Sequence, residues 1–491
     1  MSNKKNPASI GKNFIYNTAY QILAVLVPLV TTPYIARIFG ADGVGVNSYV
    51  ISMANVFSLF AALGVSAYGQ REIAQNRDDK KQTAVLFWEI ELLCVITTAI
   101  CLIAWFVMAF LESNYTHYFL VTSFTILAVA FDITWFFAGL EEFRFIVLRN
   151  TAVKLIGMLL LFLAIKTKDQ LLLYMAMISV TGLVGNLSMW TYLPKFLTKV
   201  SFKELRIFRH LRHTFVYFIP TIASSVYNMV DKVMLRFLTD GTLENGYYEE
   251  TTKVVRTAQV VLLSINTVMA SRMSYLFSQG KLEEMKKRLE KSISFILLLA
   301  YPFTIGIIGI SEGFVPWFFG EGFDPVVMLL RVYSPLLIVV GISNCLGTQY
   351  LTPSGQRGRS SKGIIAGAVV NIILNVFLIP PFGATGATIA SVIAELIIAC
   401  VYCYMSKGYI SFGMLCKHSV KRLIASGVML VVVLAVALLP VTGVLLTLLQ
   451  IACGALVYLL ILLVLKDEML KLVFSKVTGM LKKKAHPKSA G

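Results

Sequence analysis

The chain has 491 residues, 57% of them hydrophobic and 14% charged, with a mean hydropathy of +0.75. That balance excludes a soluble globular domain and places the chain among integral membrane proteins. The formal charge of +18 suggests nucleic acid, but the basic residues alternate between loops instead of forming one face, so no nucleic-acid partner is expected.

A hydrocarbon core about 30 Å thick takes about 20 mainly apolar residues per helix. Runs of that kind recur from Phe14 to Lys466, about fourteen in all. The first six are 14–36, 44–66, 83–110, 117–139, 146–165 and 170–193. A basic segment follows, "LPKFLTKVSFKELRIFRHLRH" from Leu193 to His213. Its Phe196, Leu197, Val200, Leu205, Phe208 and Leu211 among Lys and Arg predict an amphipathic helix on the inner membrane surface. Six more spans come next, at 214–238, 247–270, 292–311, 326–350, 363–380 and 384–405. The last two, 422–440 and 443–465, have almost no polar residues and read as an accessory, lipid-facing pair. Pro28, Pro33, Pro220 and Pro335 are placed to bend spans.

The expected fold is therefore all-α: an N-lobe (1–192), a cytoplasmic linker (193–213), a C-lobe (214–410), the accessory pair (411–466) and a basic cytoplasmic tail (467–491). Lys and Arg crowd alternate loops: Lys4, Lys5 and Lys12, then Arg71 to Lys81, Arg144 and Arg149, Lys195 to Arg212, Lys281 to Lys291, Arg357 to Lys362, and Lys407 to Arg422. Lys482 to Lys484 lie in the tail. The positive-inside rule then puts both termini in the cytoplasm. The two blocks also echo each other, "ARIFGADGVGVNSY" in the first and "LRFLTDGTLENGYY" in the second. Six crossings per block give both the same orientation, as for repeats related by an axis along the membrane normal. Two six-helix lobes with pseudo-two-fold symmetry are expected.

Charges inside spans are the site candidates, because each costs on the order of 3 kcal/mol or more at mid-bilayer. Glu89, Glu91 and Lys154 lie near inner ends, where they can snorkel. Arg37, Lys232, Arg236, Lys253 and Arg256 fall at or inside the outer ends of spans, on the side otherwise poor in Lys and Arg. With Asp231 and Glu249 they fit two compatible readings, ion pairs closing an outer gate and a basic wall for an anionic ligand. Arg272 is near an inner end. Asp132 and Glu395 lie well inside spans, each as a protonation or cation site or as a neutral buried carboxyl. Arg331 is similar. Asn371 and Asn375, four apart on one helix face, are expected to bond a neighbouring helix. The seven cysteines complete no metal site, and no Walker or dinucleotide motif and no catalytic constellation is present, so neither a metal nor a catalytic residue is expected.

Five segments carry a family likeness: "TPYIARIFGADGVGVNSY", "GVSAYGQREIAQNR", "WFFAGLEEFRFI", "DKVMLRFL" with "NGYYEETTKV", and "FVPWFFGEGF". Through them the chain resembles the polysaccharide-transporter branch of the multidrug/oligosaccharidyl-lipid/polysaccharide (MOP) flippase superfamily, the Wzx-type flippases. The resemblance implies a MATE-like fold and a flippase, not an enzyme. It would carry undecaprenyl-pyrophosphate-linked oligosaccharide repeat units to the outer leaflet of the bacterial plasma membrane, for capsule or exopolysaccharide. It further implies alternating access between lobes without a cofactor, coupled to the membrane potential, H+ or Na+. Arg37, Lys232, Arg236, Lys253, Arg256 and Arg272 become cavity candidates, and Asp132, Asp231, Glu249 and Glu395 coupling or gate candidates. Membrane lipids, a polysaccharide polymerase and glycosyltransferases are the implied partners. A lipid II flippase and a cation-coupled multidrug exporter of the same superfamily are the rival readings.

Overall fold

The computed structural model describes the backbone of residues 7–406 and 408–485. Lys4, Lys5 and Lys407, and the side chains of Lys12, Pro220 and Lys482 to Lys484, lie outside the described residues.

The chain is a succession of helices. In order they are α1 (Pro7–Ala62), α2 (Val65–Asn76), α3 (Lys80–Leu111), α4 (Thr116–Leu127), α5 (Thr134–Gly139), α6 (Phe143–Ala164), α7 (Leu171–Trp190) and α8 (Leu211–Leu238). Then follow α9 (Leu243–Ser278), α10 (Leu282–Phe319), α11 (Pro325–Tyr333), α12 (Leu336–Leu346), α13 (Arg357–Met405), α14 (Phe412–Val436), α15 (Gly443–Val464) and α16 (Glu468–Ala485). Contacts gather them into two compact units, Met1–Gly246 and Tyr247–Gly491. Eleven helices among the described residues are long and apolar enough to cross a membrane. Two of these, in α1 and α13, are pairs of helices joined across a glycine. Large apolar side chains point outward as well as inward, with Phe110 70% and Leu438 87% exposed. Lipid is as apolar as the core, so an exposed apolar face carries no cost here.

Several spans depart locally from the simple pattern. Pro28 and Pro33 sit within continuous helical backbone, and the break in α1 falls instead at Gly40 (φ 67°, ψ 179°), a conformation open essentially to glycine alone. Pro335 does separate two helices, α11 and α12. The span expected at 117–139 is discontinuous: α4 tightens into a 3-10 turn over Ala128–Phe131, and Asp132 is extended. The carbonyls freed by this break find donors, Asn186 Nδ2 on Ala128 (2.6 Å) and Trp190 Nε1 on Phe131 (3.0 Å). After α12 the chain widens into a π-helical turn, Gly347–Leu351, held by a buried amide relay. Gln349 Nε2 donates to Asn266 Oδ1 (2.7 Å), and Asn266 Nδ2 donates to Asn344 Oδ1 (2.8 Å). Asn371 and Asn375, both fully buried, bond each other at 3.4 Å.

The linker corrects the sequence reading. Residues 193–213 are not one amphipathic helix but three short 3-10 turns, Leu193–Lys195, Phe202–Glu204 and Ile207–His210, leading into α8. Glu89 anchors the segment in this form, taking one backbone N–H from it together with two side chains. Its carboxylate accepts from the Arg206 N–H (2.5 Å), from the Arg209 guanidinium and from His210 Nε2 (2.8 Å). His210 Nδ1 meets the Tyr68 hydroxyl at 2.7 Å. Burial holds His210 below the ordinary imidazole range in spite of the carboxylate beside it. A neutral ring donating to Glu89 through Nε2 and accepting from Tyr68 through Nδ1 satisfies both partners. Trp88, Trp190, Phe196 and Leu197 pack around the same junction.

Candidate functional site

The glycine-rich corner in α1 brings the first candidates together. Past Gly40, Ala41 to Gly45 lie against the turn that ends α8. A methyl group on Gly45 would run into the Thr242 carbonyl, and one on Gly246 into the Ala41 carbonyl. The two backbones touch because neither glycine has a Cβ. Asp42 is exposed and accepts a hydrogen bond from Thr242 Oγ1 (2.8 Å). Asn245 Nδ2 donates to the Lys232 carbonyl, tying the turn back onto α8.

Arg236 is held beside this corner. Its guanidinium lies over the rings of Tyr115 (5.2 Å) and Tyr49 (5.8 Å), and Tyr49 itself is fully buried. The Tyr49 hydroxyl lies 3.5 Å from Glu112 Oε1, to which it donates. The Arg236 Nε is buried and has no hydrogen-bond partner among the described residues. A guanidinium held by aromatic faces keeps its N–H groups available for an anion, whereas one locked on a carboxylate does not. Asp231, five residues earlier on α8, is buried at 4% exposure, Lys232 is half-buried, and Arg37 lies exposed in the turn before Gly40.

In the second unit the basic residues are differently placed. Lys253 Nζ is 2.9 Å from Glu250 Oε1 and 3.6 Å from Glu249 Oε1, on the same helix. Glu250 is fully buried, and it is not among the candidates named from the sequence. The i,i+3 spacing was the available signal. Arg256 follows one turn later and is exposed. Arg272 does not join this group. It lies about 28 Å further along α9, stacks on Tyr275 and stands 3.8 Å from Glu284.

The carboxylates within spans also resolve into distinct environments. Asp132 accepts from the Thr134 N–H at the break in its span (3.0 Å) and lies 3.7 Å from Arg149. Glu395 is half-buried on α13, and Arg331 pairs with Glu312 at 2.8 Å. Glu89 and Glu91 do not snorkel, since each is only 1% exposed. Glu89 binds the linker, while both oxygens of Glu91 lack a hydrogen-bond partner among the described residues. The Tyr49 and Tyr115 rings around Arg236 and the Arg149 partner of Asp132 come from other helices and carry no local sequence signal.

The family described as "Polysaccharide biosynthesis protein" matches residues 10–277, more than half of the chain. The chain is 24% identical over 398 residues to a putative O-antigen transporter of Escherichia coli (strain K12), covering 80% of this chain and 95% of that protein. It is 23% identical over 239 residues to the probable low-salt glycan biosynthesis flippase Agl15 of Haloferax volcanii, 48% of this chain and 49% of that one. Among solved structures, an inward closed conformation of the lipid II flippase MurJ superposes with a TM-score of 0.71 at 16% identity, over 91% of this chain and 97% of that one. An inward-facing MATE family transporter of the MOP superfamily gives 0.57 at 13% identity, over 78% and 97%. The helices, the glycine corner in the matched region and these likenesses agree: the chain belongs to the polysaccharide biosynthesis protein family, as a multi-pass membrane protein with the fold of the MOP-superfamily transporters.

Proposed function

We propose that the protein is a flippase, not an enzyme, that moves undecaprenyl-pyrophosphate-linked oligosaccharide repeat units from the inner to the outer leaflet for capsule or exopolysaccharide assembly. Its place is then the bacterial plasma membrane, with fourteen spans, both termini in the cytoplasm, and a polymerase and glycosyltransferases acting on either side of it. Each sugar hydroxyl taken unpartnered into an apolar phase costs on the order of 4 kcal/mol, which makes unaided flipping very slow. A polar path between two six-span lobes with alternating access removes that barrier while the polyprenyl tail stays in lipid. The relatives named for O-antigen and glycan transport support this substrate class. The observation that carries it within the chain is Arg236, a cation held on two tyrosine faces with donors left for a pyrophosphate. An inside-negative potential favours outward movement of that anion by about 2.3 kcal/mol per charge at 100 mV. Arg37, Lys232 and Arg256 would extend the basic wall, and H+ or Na+ exchange at Asp132, Asp231, Glu249 or Glu395 would supply further drive.

The test is Arg236→Ala in cells that depend on this chain, following surface polysaccharide and lipid-linked repeat units in the inner leaflet. Accumulation of inner-leaflet units with at least a tenfold fall in export is expected, and Arg236→Lys should recover part of it. Normal surface polysaccharide from Arg236→Ala at normal protein level overturns the assignment of Arg236. The lipid II flippase reading predicts rescue of a strain depleted of its peptidoglycan flippase, and the multidrug exporter reading predicts drug efflux without any change in glycan.

A further inference from the structure

Both carboxylate oxygens of Glu91 are sealed from solvent and have no hydrogen-bond partner among the described residues. An ionised carboxylate left unpaired in such a place costs far more than a neutral carboxyl, so the group here carries a proton. Elements of the first unit build its surroundings. Glu91, Cys94 and Thr98 share one face of α3, and Cys94 Sγ reaches the Val129 carbonyl in the 3-10 turn (3.7 Å). That face therefore lies against the break between α4 and α5. Trp135, the second residue of α5, turns its indole toward the Glu91 carboxyl, and its Nε1 is likewise buried without a hydrogen-bond partner among the described residues. Gly69 on α2 makes room for that ring, since a Cβ there would overlap it.

Asp132 is the charged group that acts on Glu91. It is the extended residue of the break, its side chain is 38% exposed, and Arg149 lies 3.7 Å away. The charges of the other neighbouring elements are spent elsewhere. Glu89, Arg209 and His210 gather at the linker, and Arg71 and Glu72 of α2 lie beside Tyr217 and Tyr68. On α1 and α4, Arg37, Asp42, His117 and Tyr118 lie at the far ends of the helices from this break. A proton needs no further ligands in order to bind sealed oxygens, and among the described residues no three metal-ligating side chains gather.

We propose that Glu91 is the proton-carrying group of the first unit, exchanging its proton with Asp132 across the break in the span. This rests on the flippase reading and names the residue that takes its coupling proton. Glu91 gives the proton to the Asp132 carboxylate, which becomes neutral and releases it where its side chain meets solvent. The Glu91 anion left behind accepts from Trp135 Nε1, the donor unused in the protonated form. Arg149 keeps Asp132 ionised, and so ready to accept, until the proton arrives.

The experiment is infrared difference spectroscopy of the full-length protein in nanodiscs as the pH is stepped from acid to alkaline. The unaltered protein should show a protonated-carboxyl band that falls as pH rises. Glu91→Gln, which keeps the shape of the neutral carboxyl, should remove that band, and Glu91→Asp should restore it. Asp132→Asn should slow its loss after a rapid pH step at least tenfold. In proteoliposomes an imposed pH gradient should drive flipping by the unaltered protein but not by Glu91→Gln, which should still respond to membrane potential. A band that ignores pH or survives Glu91→Gln overturns the proposal, leaving Glu91 a fixed neutral carboxyl of the core. So does an equal response of the two proteins to the pH gradient. A chain that flips no repeat units under any gradient refutes the flippase reading alone, because the infrared band reads the proton without substrate.

Discussion

Two long helices bend at short strings of residues that differ at one position in five. In α1 the string is Phe39-Gly40-Ala41-Asp42-Gly43, and in α13 Phe382-Gly383-Ala384-Thr385-Gly386. Both breaks are at the first glycine, Gly40 at φ 67° and Gly383 at φ 54°, but they are closed in different ways. In α1, Gly45 and Gly246 bring two chain segments into backbone contact, whereas in α13 Gly386 packs on the Leu378 carbonyl of its own helix. The local sequence specifies that a helix bends, and tertiary context decides what the bend rests on.

The sharpest way to break this comparison is at the contact glycines. Gly45→Ala should destabilise the protein by about 3 kcal/mol, since backbone cannot give way as a flexible side chain does. Adding Gly246→Ala should cost much less than the sum, because both methyls force the same two segments apart. Gly386→Ala should cost a similar amount with no coupling to either, and full additivity across all three by thermal unfolding in detergent would undo the distinction. The next effect is at the bends: Gly40→Ala and Gly383→Ala should each cost about 1–3 kcal/mol from backbone strain alone. If Gly40→Ala proves neutral, α1 does not need its left-handed residue. The smallest change is Asp42→Ala, which removes one exposed hydrogen bond to Thr242 and should cost about 1 kcal/mol or less. Thr242→Ala on top of it should add nothing, whereas an added loss shows that Thr242 supports the corner by another route.

The spans were legible because a run such as Val95 to Leu111 contains little that can satisfy a backbone except itself in lipid. The bends carry a local signal, a second glycine three residues after the first in each string, but what each bend rests on does not follow from it. Lys253 with Glu249 could be read from helical spacing. The break at Asp132 could not, because the Asn186 and Trp190 donors that permit it lie on α7. The tyrosines around Arg236 are hidden for the same reason, and the linker's apolar residues keep helical spacing while its backbone is anchored on Glu89 through the Arg206 N–H.

That carboxylate has a consequence for how the chain is made. The His210 partner lies 121 residues after Glu89, so at about 5–20 residues per second the carboxylate emerges about 6–24 s before its last donor exists. Throughout that interval α4 to α7 must insert beside a glutamate with no linker to hold it. The linker is thus a clasp that arrives after the helices it holds, and a nascent chain released before His210 would leave its early helices in the membrane with that clasp undone.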